Sequence, residues 1–347
     1  MGARFARSLP DFLVIGAPKA GSTALHDALA THPSLYPSPV KEPKYFLSPD
    51  RRPARRDHRG PGDAHSAREW VWRRRDYERL FADAPTGLLR FESTPFYLWD
   101  KASHPRIAET LGRGVKLIAV IRDPVDRAFS NWSHLRADGL EPEADFLTAC
   151  RAEPRRAASG WAPIWRYLEL GRYGEQLEHL YRFVEPERVR VVRYRELVDE
   201  PVDTVDRLCE FLGVETGLVG EPPRSNMGRW ASDNRTNDAL RRVIVTGAGV
   251  GSYFPPQAWR RVEKPLLRVL QRGDEPRPKP ARAARKELVN YFADDNALLS
   301  SLLGRDYSDW LAAEGNGTFT ARRSWEPSAA EASMYTRMPP PTETTEA

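Results

Sequence analysis

The chain has 347 residues, 40% of them hydrophobic, which is enough for one large α/β domain with a buried core and argues against wholesale disorder. Its formal net charge of +5 is too small to indicate a nucleic-acid-binding protein, but it is compatible with a cleft that receives an anion. The two cysteines exclude a disulfide framework and a cysteine-rich zinc site, and we expect a cytoplasmic protein without a membrane span or a signal peptide.

Apolar runs and amphipathic stretches alternate along the chain. The runs are typical of buried parallel strands, and the stretches between them have the spacing of helices with one buried face. Because strands that alternate with helices build a parallel sheet covered on both faces, we expect an α/β fold with a central parallel sheet flanked by helices. The predicted strands cover residues 12–15, 88–91, 115–121 and 189–194, and the predicted helices cover residues 126–136, 175–183, 202–212 and 283–303.

Two segments lack this pattern. Residues 49–68 are rich in Arg, Pro and Gly and predict a long surface loop, whose basic side chains either stay solvated or face a substrate. Near the C-terminus the periodicity is lost, which predicts a disordered tail. We therefore expect an N-terminal extension at residues 1–10, one domain at residues 11–314 and a tail at residues 315–347.

A glycine-containing loop follows the first predicted strand and precedes a helix. Glycine lets backbone amides approach a phosphate closely, and a helix N-terminus and a cation complete such a site. Gly16 and Gly21 have the spacing of the nucleotide-triphosphate loop G-x-x-x-x-G-K-[ST], but Ser22 stands where that loop has its lysine. The cation is Lys19, inside the loop, which favours a 5′-phosphate ligand other than a magnesium-bound triphosphate. A plain turn between strand and helix is the alternative.

A second constellation begins where another predicted strand ends. Arg122 comes directly after the strand at residues 115–121, at the carboxyl edge where α/β sheets bind ligands. Ser130 follows about two helical turns later, and an arginine with a hydroxyl suits a second phosphate. Arg122 is equally suited to pair with Asp123 or Asp126, so the sequence leaves both roles open.

Together these segments resemble the sulfotransferases that use 3′-phosphoadenosine 5′-phosphosulfate (PAPS), in the bacterial and heparan-sulfate-type branch of that family. Residues 18–23 (PKAGST) look like the family's 5′-phosphosulfate-binding loop, and residues 122–130 look like its 3′-phosphate-binding motif. Residues 41–46 (KEPKYF) resemble its K-E-P-x-x-F segment, and the likeness extends over roughly residues 10–312. The resemblance implies a P-loop nucleotide-kinase-like sulfotransferase fold.

The resemblance also implies a donor site and a catalytic pair. Lys19 would neutralise the charge that grows on the leaving phosphate, and Glu42 would act as the general base for the acceptor hydroxyl. A surface ion pair of Glu42 with Lys41 or Lys44 is the alternative role. Glu92 is the reserve candidate for the base. The residues that the resemblance assigns to the cofactor PAPS are Pro18, Lys19, Ala20, Gly21, Ser22, Thr23, Arg122, Ser130, Tyr194 and Arg229.

The expected function is transfer of a sulfuryl group to a hydroxyl of a carbohydrate or small natural product, by in-line displacement and without a metal. A P-loop kinase-like phosphotransferase and a non-catalytic nucleotide-binding protein of the same fold are the alternatives. Ser22 in the lysine position disfavours the kinase. The candidate catalytic and phosphate-binding residues occur together, which disfavours the non-catalytic protein. We expect no nucleic-acid partner, and no motif specifies the acceptor or the oligomeric state.

Overall fold

The fold is organised around a parallel sheet. The structure is a computed structural model that describes residues 8–53, 60, 70–220, 239, 240, 243 and 279–312. Within these residues five strands form one sheet, and every neighbouring pair runs parallel. The strands are β1 (Phe12–Gly16), β2 (Leu35–Pro37), β3 (Leu89–Ser93), β4 (Lys116–Ile121) and β5 (Val189–Arg193), in the spatial order β2–β3–β1–β4–β5.

Helices cover the connections between the strands. Some begin with residues that suit a helix N-terminus, such as the capping residue Asp123 and Pro201 in the first helical turn. The helices whose bounds the structure describes are α1 (Ser22–Leu29), α2 (Arg74–Arg79), α3 (Ser103–Leu111), α4 (Pro124–Ala137), α5 (Phe146–Arg151), α6 (Glu153–Ala158), α7 (Tyr173–Leu180), α8 (Tyr194–Asp199), α9 (Pro201–Leu212) and α10 (Arg282–Leu303).

The sheet confirms the predicted α/β architecture. β1 and β4 are almost entirely buried, as their uninterrupted apolar sequences predict, and β3 and β5 lie close to their predicted positions. The four predicted helices are confirmed as α4, α7, α9 and α10. β2 has no counterpart in the prediction, because a strand of three residues that ends at Pro37 is too short to show a period.

β1 lies inside the sheet, where the strand order reverses. β2 and β3 lie on one side of it, and β4 and β5 lie on the other. In open α/β sheets, ligands bind at the carboxyl ends of the strands beside such a reversal. Val14 of β1 is in register with Ser93 of β3 and Ile118 of β4, so the loops after these strands open at one edge of the sheet. The glycine loop and Arg122 therefore lie at the same edge.

Two groups of buried apolar side chains hold the helices in place. The larger group surrounds the sheet. The second lies where α4, α5 and α10 meet, and it includes Trp132, Trp165 and Phe292. Cys150 and Cys209 are buried free thiols.

α10 packs against α7 through a close approach of the two backbones. The Asp295 carboxylate accepts hydrogen bonds from the backbone amides of Gly174 and Glu175, both at 3.0 Å. A Cβ on Gly174 would lie 2.5 Å from the Asp295 carbonyl oxygen, so the contact requires glycine. This contact holds α10, near the end of the described residues, against α7.

Some sequence predictions concern residues that the structure does not describe. Most of the basic segment at residues 49–68, Arg229 and the tail at residues 315–347 lie outside the described residues. The expected domain limits therefore stay predictions. Within the described ranges, none of the helices combines the length and the apolarity that a membrane span requires.

Candidate active site

The glycine loop joins β1 to α1 and presents a helix N-terminus without a side-chain cap. Gly21 is the N-cap residue of α1. Because glycine has no side chain, this N-cap residue accepts no side-chain hydrogen bond from the first amides of the helix. In contrast, Asp123 caps α4 by accepting from the Val125 and Asp126 amides at 2.9 and 3.1 Å. The first turn of α1 therefore offers amide donors and the positive end of the helix dipole to an anion.

Gly21 is required by both conformation and space. Its φ of 97° lies in the left-handed region that favours glycine. A Cβ at this position would lie 3.0 Å from the ring of Tyr194. Tyr194 begins α8 directly after β5, so the glycine loop and the end of β5 are in contact. The structure thereby brings two of the predicted cofactor residues together.

Arg122 lies at the carboxyl end of β4 and contacts the same loop. Its Nη1 donates a hydrogen bond to the Lys19 carbonyl oxygen at 3.4 Å, and its guanidinium lies over the Tyr194 ring, 4.7 Å from the ring centre. Ser130 lies farther along α4 and is 5% exposed. Lys19, Arg122 and Tyr194 are far apart in the sequence but form one cluster in the fold.

The two aspartates that follow Arg122 are paired with a different arginine. Arg285 of α10 is 3% exposed and contacts the Asp123 carboxylate at 2.5 Å and the Asp126 carboxylate at 3.1 Å. Burial, together with the nearby Asp126, raises the pKa of Asp123 to about 6, and Arg285 opposes this shift. Because Arg285 neutralises these carboxylates, they do not require Arg122 as their structural partner.

The segment at residues 41–46 contacts the start of α1. Lys41 Nζ donates to Thr23 Oγ1 at 2.6 Å, which places a second cation beside the glycine loop. Glu42 is half-buried and has a φ of 55°, an uncommon conformation for a residue other than glycine. In the described part of the chain, no ion pair joins Glu42 to Lys41 or Lys44. The structure therefore gives no support to the alternative surface pairing of Glu42.

A buried carboxylate adjoins this segment. Glu92 of β3 is fully buried and accepts three hydrogen bonds. The donors are the hydroxyls of Tyr77, Thr94 and Tyr97, at 3.1, 2.8 and 2.8 Å. Burial raises the pKa of Glu92 to about 7; the three hydroxyls oppose the shift, and the charge of Glu42 adds to it. A side chain that is 0% exposed does not contact an acceptor, so Glu92 is a poor candidate for the base.

The family of the chain follows from its sequence match. A sequence model described as the sulfotransferase family matches residues 10–217, which is more than half of the chain. The chain belongs to the sulfotransferase family. The matched part of this sulfotransferase runs from β1 to α9 and includes the glycine loop, Glu42, Arg122 and Tyr194. The resemblance noted in the sequence is confirmed at the level of the family.

The sulfotransferase has relatives whose names refer to heparan sulfate. Human bifunctional heparan sulfate N-deacetylase/N-sulfotransferase 3 is 29% identical over 317 residues, which are 88% of this chain and 31% of that protein. Human heparan sulfate glucosamine 3-O-sulfotransferase 3B1 is 26% identical over 210 residues, which are 60% of this chain and 47% of that protein. This sulfotransferase thus spans 31% and 47% of the length of these two relatives.

A solved bacterial structure has a similar fold. The crystal structure of a sulfotransferase from Alicyclobacillus acidocaldarius matches with a TM-score of 0.64 and 27% sequence identity. The match covers 87% of this chain and 98% of that chain. It confirms the expected sulfotransferase fold.

Proposed function

We propose that this sulfotransferase transfers a sulfuryl group from PAPS to a hydroxyl of a carbohydrate or small natural product. The observation that carries the proposal is the cluster of Lys19, Arg122 and Tyr194 beside the uncapped N-terminus of α1. Cations and amide donors of this kind suit the anionic groups of a sulfated nucleotide. The names of the relatives, which refer to heparan sulfate, support a carbohydrate acceptor.

One end of the cluster fits the 5′-phosphosulfate of the donor. The amides of Gly21, Ser22 and Thr23 lie at the first turn of α1, where they would hold the anion. Lys19 lies in the loop that leads into this turn, and Lys41 reaches Thr23 Oγ1 at 2.6 Å. The backbone of Pro18 and Ala20 completes the proposed loop, as the family resemblance implies.

The other end of the cluster fits the nucleoside and its 3′-phosphate. We assign the 3′-phosphate to Arg122 and Ser130, since a guanidinium and a hydroxyl form strong hydrogen bonds with phosphate oxygens. Tyr194 would lie against the adenine, because its ring is at the same sheet edge as Arg122, 4.7 Å from the guanidinium. Arg229 completes this proposed set by family resemblance.

The chemistry requires a proton acceptor for the hydroxyl and charge stabilisation for the leaving phosphate. PAPS supplies the sulfuryl group, which passes from the bridging phosphate oxygen to the acceptor oxygen. Glu42 would take the hydroxyl proton as the new S–O bond forms. Lys19 and the amides of α1 would neutralise the negative charge on the phosphate oxygen as the old S–O bond breaks. In our proposal these groups supply the charge stabilisation that a metal ion would otherwise provide, so the reaction needs no metal.

Nucleotide binding separates this proposal from a phosphotransferase. We expect isothermal titration calorimetry to show that adenosine 3′,5′-bisphosphate binds and that ATP·Mg²⁺ binds far more weakly. Arg122→Ala should weaken the binding of the bisphosphate, whereas replacement of Lys286, an exposed lysine of α10, should leave this binding unchanged. Binding of ATP·Mg²⁺ without binding of the bisphosphate would contradict the proposal.

A transfer assay tests the catalytic roles. The full chain is incubated with sulfur-labelled PAPS and a panel of sugars, heparan-type oligosaccharides and phenols. We expect Lys19→Ala and Glu42→Gln each to lower kcat by about 10²- to 10³-fold, and Lys286→Ala to leave it unchanged. Bisphosphate binding without transfer to any acceptor would instead indicate a non-catalytic nucleotide-binding protein.

A further inference from the structure

Glu92 is a fully buried acid beside the site, and the mechanism above does not use it. In the described part of the chain no cation is paired with its carboxylate. Desolvation of a carboxylate without a counter-charge is costly unless hydrogen bonds compensate it. The compensation comes from three hydroxyl groups, and two of them make further hydrogen bonds.

Two of the three hydroxyls that bind Glu92 also hold a neighbouring backbone segment. Thr94 Oγ1 donates to Glu92 Oε2 at 2.8 Å and accepts from the Lys44 amide at 3.3 Å. Tyr97 Oη donates to Glu92 Oε1 at 2.8 Å and accepts from the Phe46 amide at 3.3 Å. Each hydroxyl has a single proton and donates it in the hydrogen bond to the carboxylate. The lone pairs of the hydroxyl oxygen then accept the hydrogen bond from the amide.

The third hydroxyl contacts the carboxylate without holding the backbone. Tyr77 Oη donates to Glu92 Oε1 at 3.1 Å, and the Tyr77 ring stacks on Tyr45 with 4.3 Å between ring centres. In the described structure no backbone amide of residues 41–46 donates to the Tyr77 hydroxyl. Tyr77→Phe therefore removes a hydrogen bond to Glu92 and spares those that hold the segment.

The held segment is the one that carries the proposed base. Glu42 and Lys44 both have left-handed backbone conformations, with φ of 55° and 60°. Such conformations persist in residues other than glycine when the surroundings impose them. The hydrogen bonds that the Lys44 and Phe46 amides donate to Thr94 and Tyr97 supply such a constraint, two and four residues after Glu42.

We propose that Glu92 is a positioning residue for sulfuryl transfer: through its two hydroxyl partners it fixes the backbone that follows Glu42 and so holds this base at the donor site. The inference rests on the proposed function, in which Glu42 is the general base. Glu92 itself touches neither donor nor acceptor. Its role belongs to the ionised carboxylate, which only accepts hydrogen bonds, so the tests below are made at pH 8, above the pKa of about 7 that burial gives Glu92.

An amide of the same size disturbs the direction of these hydrogen bonds. In Glu92→Gln the new NH₂ group is a donor, so one partner hydroxyl has to accept from it. The proton of that hydroxyl then turns toward a backbone amide, which is also a donor. The amide loses its acceptor, and the segment loses a constraint worth on the order of 1 kcal/mol, which corresponds to about fivefold to tenfold in local opening.

Hydrogen exchange of the full chain, without ligand, measures this constraint directly. We expect Glu92→Gln, Thr94→Val and Tyr97→Phe to raise amide exchange in residues 41–47 by about fivefold or more. Thr94→Ser keeps the hydroxyl and Tyr77→Phe keeps the backbone contacts, so both should match the wild type. If Glu92→Gln does not fold, the comparison of Thr94→Val with Thr94→Ser shows whether the hydroxyl constrains the segment. Unchanged exchange in Thr94→Val and Tyr97→Phe would overturn the inference.

A double-mutant cycle on kcat separates positioning from general loss of structure. We expect Thr94→Val to lower kcat by about tenfold with little change in the KM of PAPS, and Thr94→Ser to restore it. In the Glu42→Gln background Thr94→Val should cause no further loss, because its effect passes through Glu42. Additive losses would overturn the inference. If the protein transfers no sulfuryl group, the proposed function fails, while the exchange experiment still decides the role of Glu92 in the segment.

Discussion

Both proposed catalytic side chains project from residues with a positive φ, 66° at Lys19 and 55° at Glu42. A left-handed conformation costs about 1 to 2 kcal/mol in a residue with a Cβ. Glycine would remove this cost, but it would also remove the ammonium and the carboxylate. The backbone cost at these two positions is therefore consistent with side chains retained for chemistry rather than for stability.

The buried Glu92 should make the stability of the protein depend on pH. Its pKa is raised by burial to about 7, from 4.5 for an exposed glutamate. The folded state thus keeps a proton that the unfolded state releases, so this group lowers stability as the pH rises from about 4.5 to 7. We expect the wild type to lose about 2 to 3 kcal/mol relative to Glu92→Gln between pH 5 and pH 8, as measured by urea unfolding. An equal pH dependence in both proteins would contradict this.

At the scale of elements, the ion pairs that join α10 to the rest of the fold include a buried pair and an exposed pair. Arg285 contacts Asp123 in the interior, whereas Glu287 contacts Arg151 at the surface, at 2.6 Å. The removal of one partner from a buried pair leaves a charge without compensation, while water screens the exposed pair. The two pairs provide a matched comparison on the same helix.

Arg285→Met should destabilise the protein strongly. We expect the free energy of unfolding to fall by about 3 to 5 kcal/mol, because Asp123 would stay buried without its counter-charge. Urea denaturation measures this, and Arg151→Met is the control with a much smaller effect. Arg122 is the cation next to Asp123 in the chain, so we also expect weaker binding of adenosine 3′,5′-bisphosphate to Arg285→Met. Equal losses of stability in the two variants would contradict the assigned burial.

The contact of α7 with α10 leaves no room for a side chain at Gly174. We expect Gly174→Ala to lower the free energy of unfolding by about 1 to 3 kcal/mol, because its Cβ would meet the Asp295 carbonyl oxygen, a backbone atom. Gly114→Ala is the control, since a Cβ there would have no atom within 4 Å. Thermal unfolding of both variants measures the difference, and a stable Gly174→Ala protein would argue against this packing.

Local sequence predicts the elements and site residues whose positions depend on their neighbours in the chain. β1 and β4 are continuous apolar runs, and the glycine loop and Arg122 directly follow them, so their place at the sheet edge could be predicted. The pairing of Arg285 with Asp123 could not, because 162 residues separate them and no local pattern links them. Thr94 and Tyr97 are close to Glu92 in the sequence. Their hydrogen bonds with the amides of Lys44 and Phe46 could likewise not be predicted, because only the tertiary fold brings these segments together.

At the scale of the whole molecule, part of the net charge of +5 has a definite place. Lys19, Lys41 and Arg122 gather at the N-terminus of α1, whereas arginines such as Arg90 and Arg156 form ion pairs with acids. Positive charge concentrated in this way suits the anionic groups of a small ligand such as the proposed donor. The predicted lack of a nucleic-acid partner stays a prediction.

The two thiols should report on unfolding of the whole molecule. Burial raises the pKa of Cys209 to about 11 and that of Cys150 well above its usual value. We expect a disulfide reagent at pH 8 to modify neither thiol of the native protein on the time scale of minutes, and to modify both in urea. Rapid modification of the folded protein would contradict their burial. Free thiols are compatible with the predicted cytoplasmic location, which stays a prediction.

The ion pair of Arg285 also sets an order of events during synthesis. The ribosome makes the glycine loop and Arg122 long before it makes α10, which carries Arg285. Trp310, whose ring lies against the Arg193 guanidinium, is made later still. A nascent chain that has not reached α10 holds Asp123 without its counter-charge. We therefore expect the proposed donor site to be completed only after α10 and Trp310 have been made, so that a newly made chain would bind its proposed nucleotide late in synthesis.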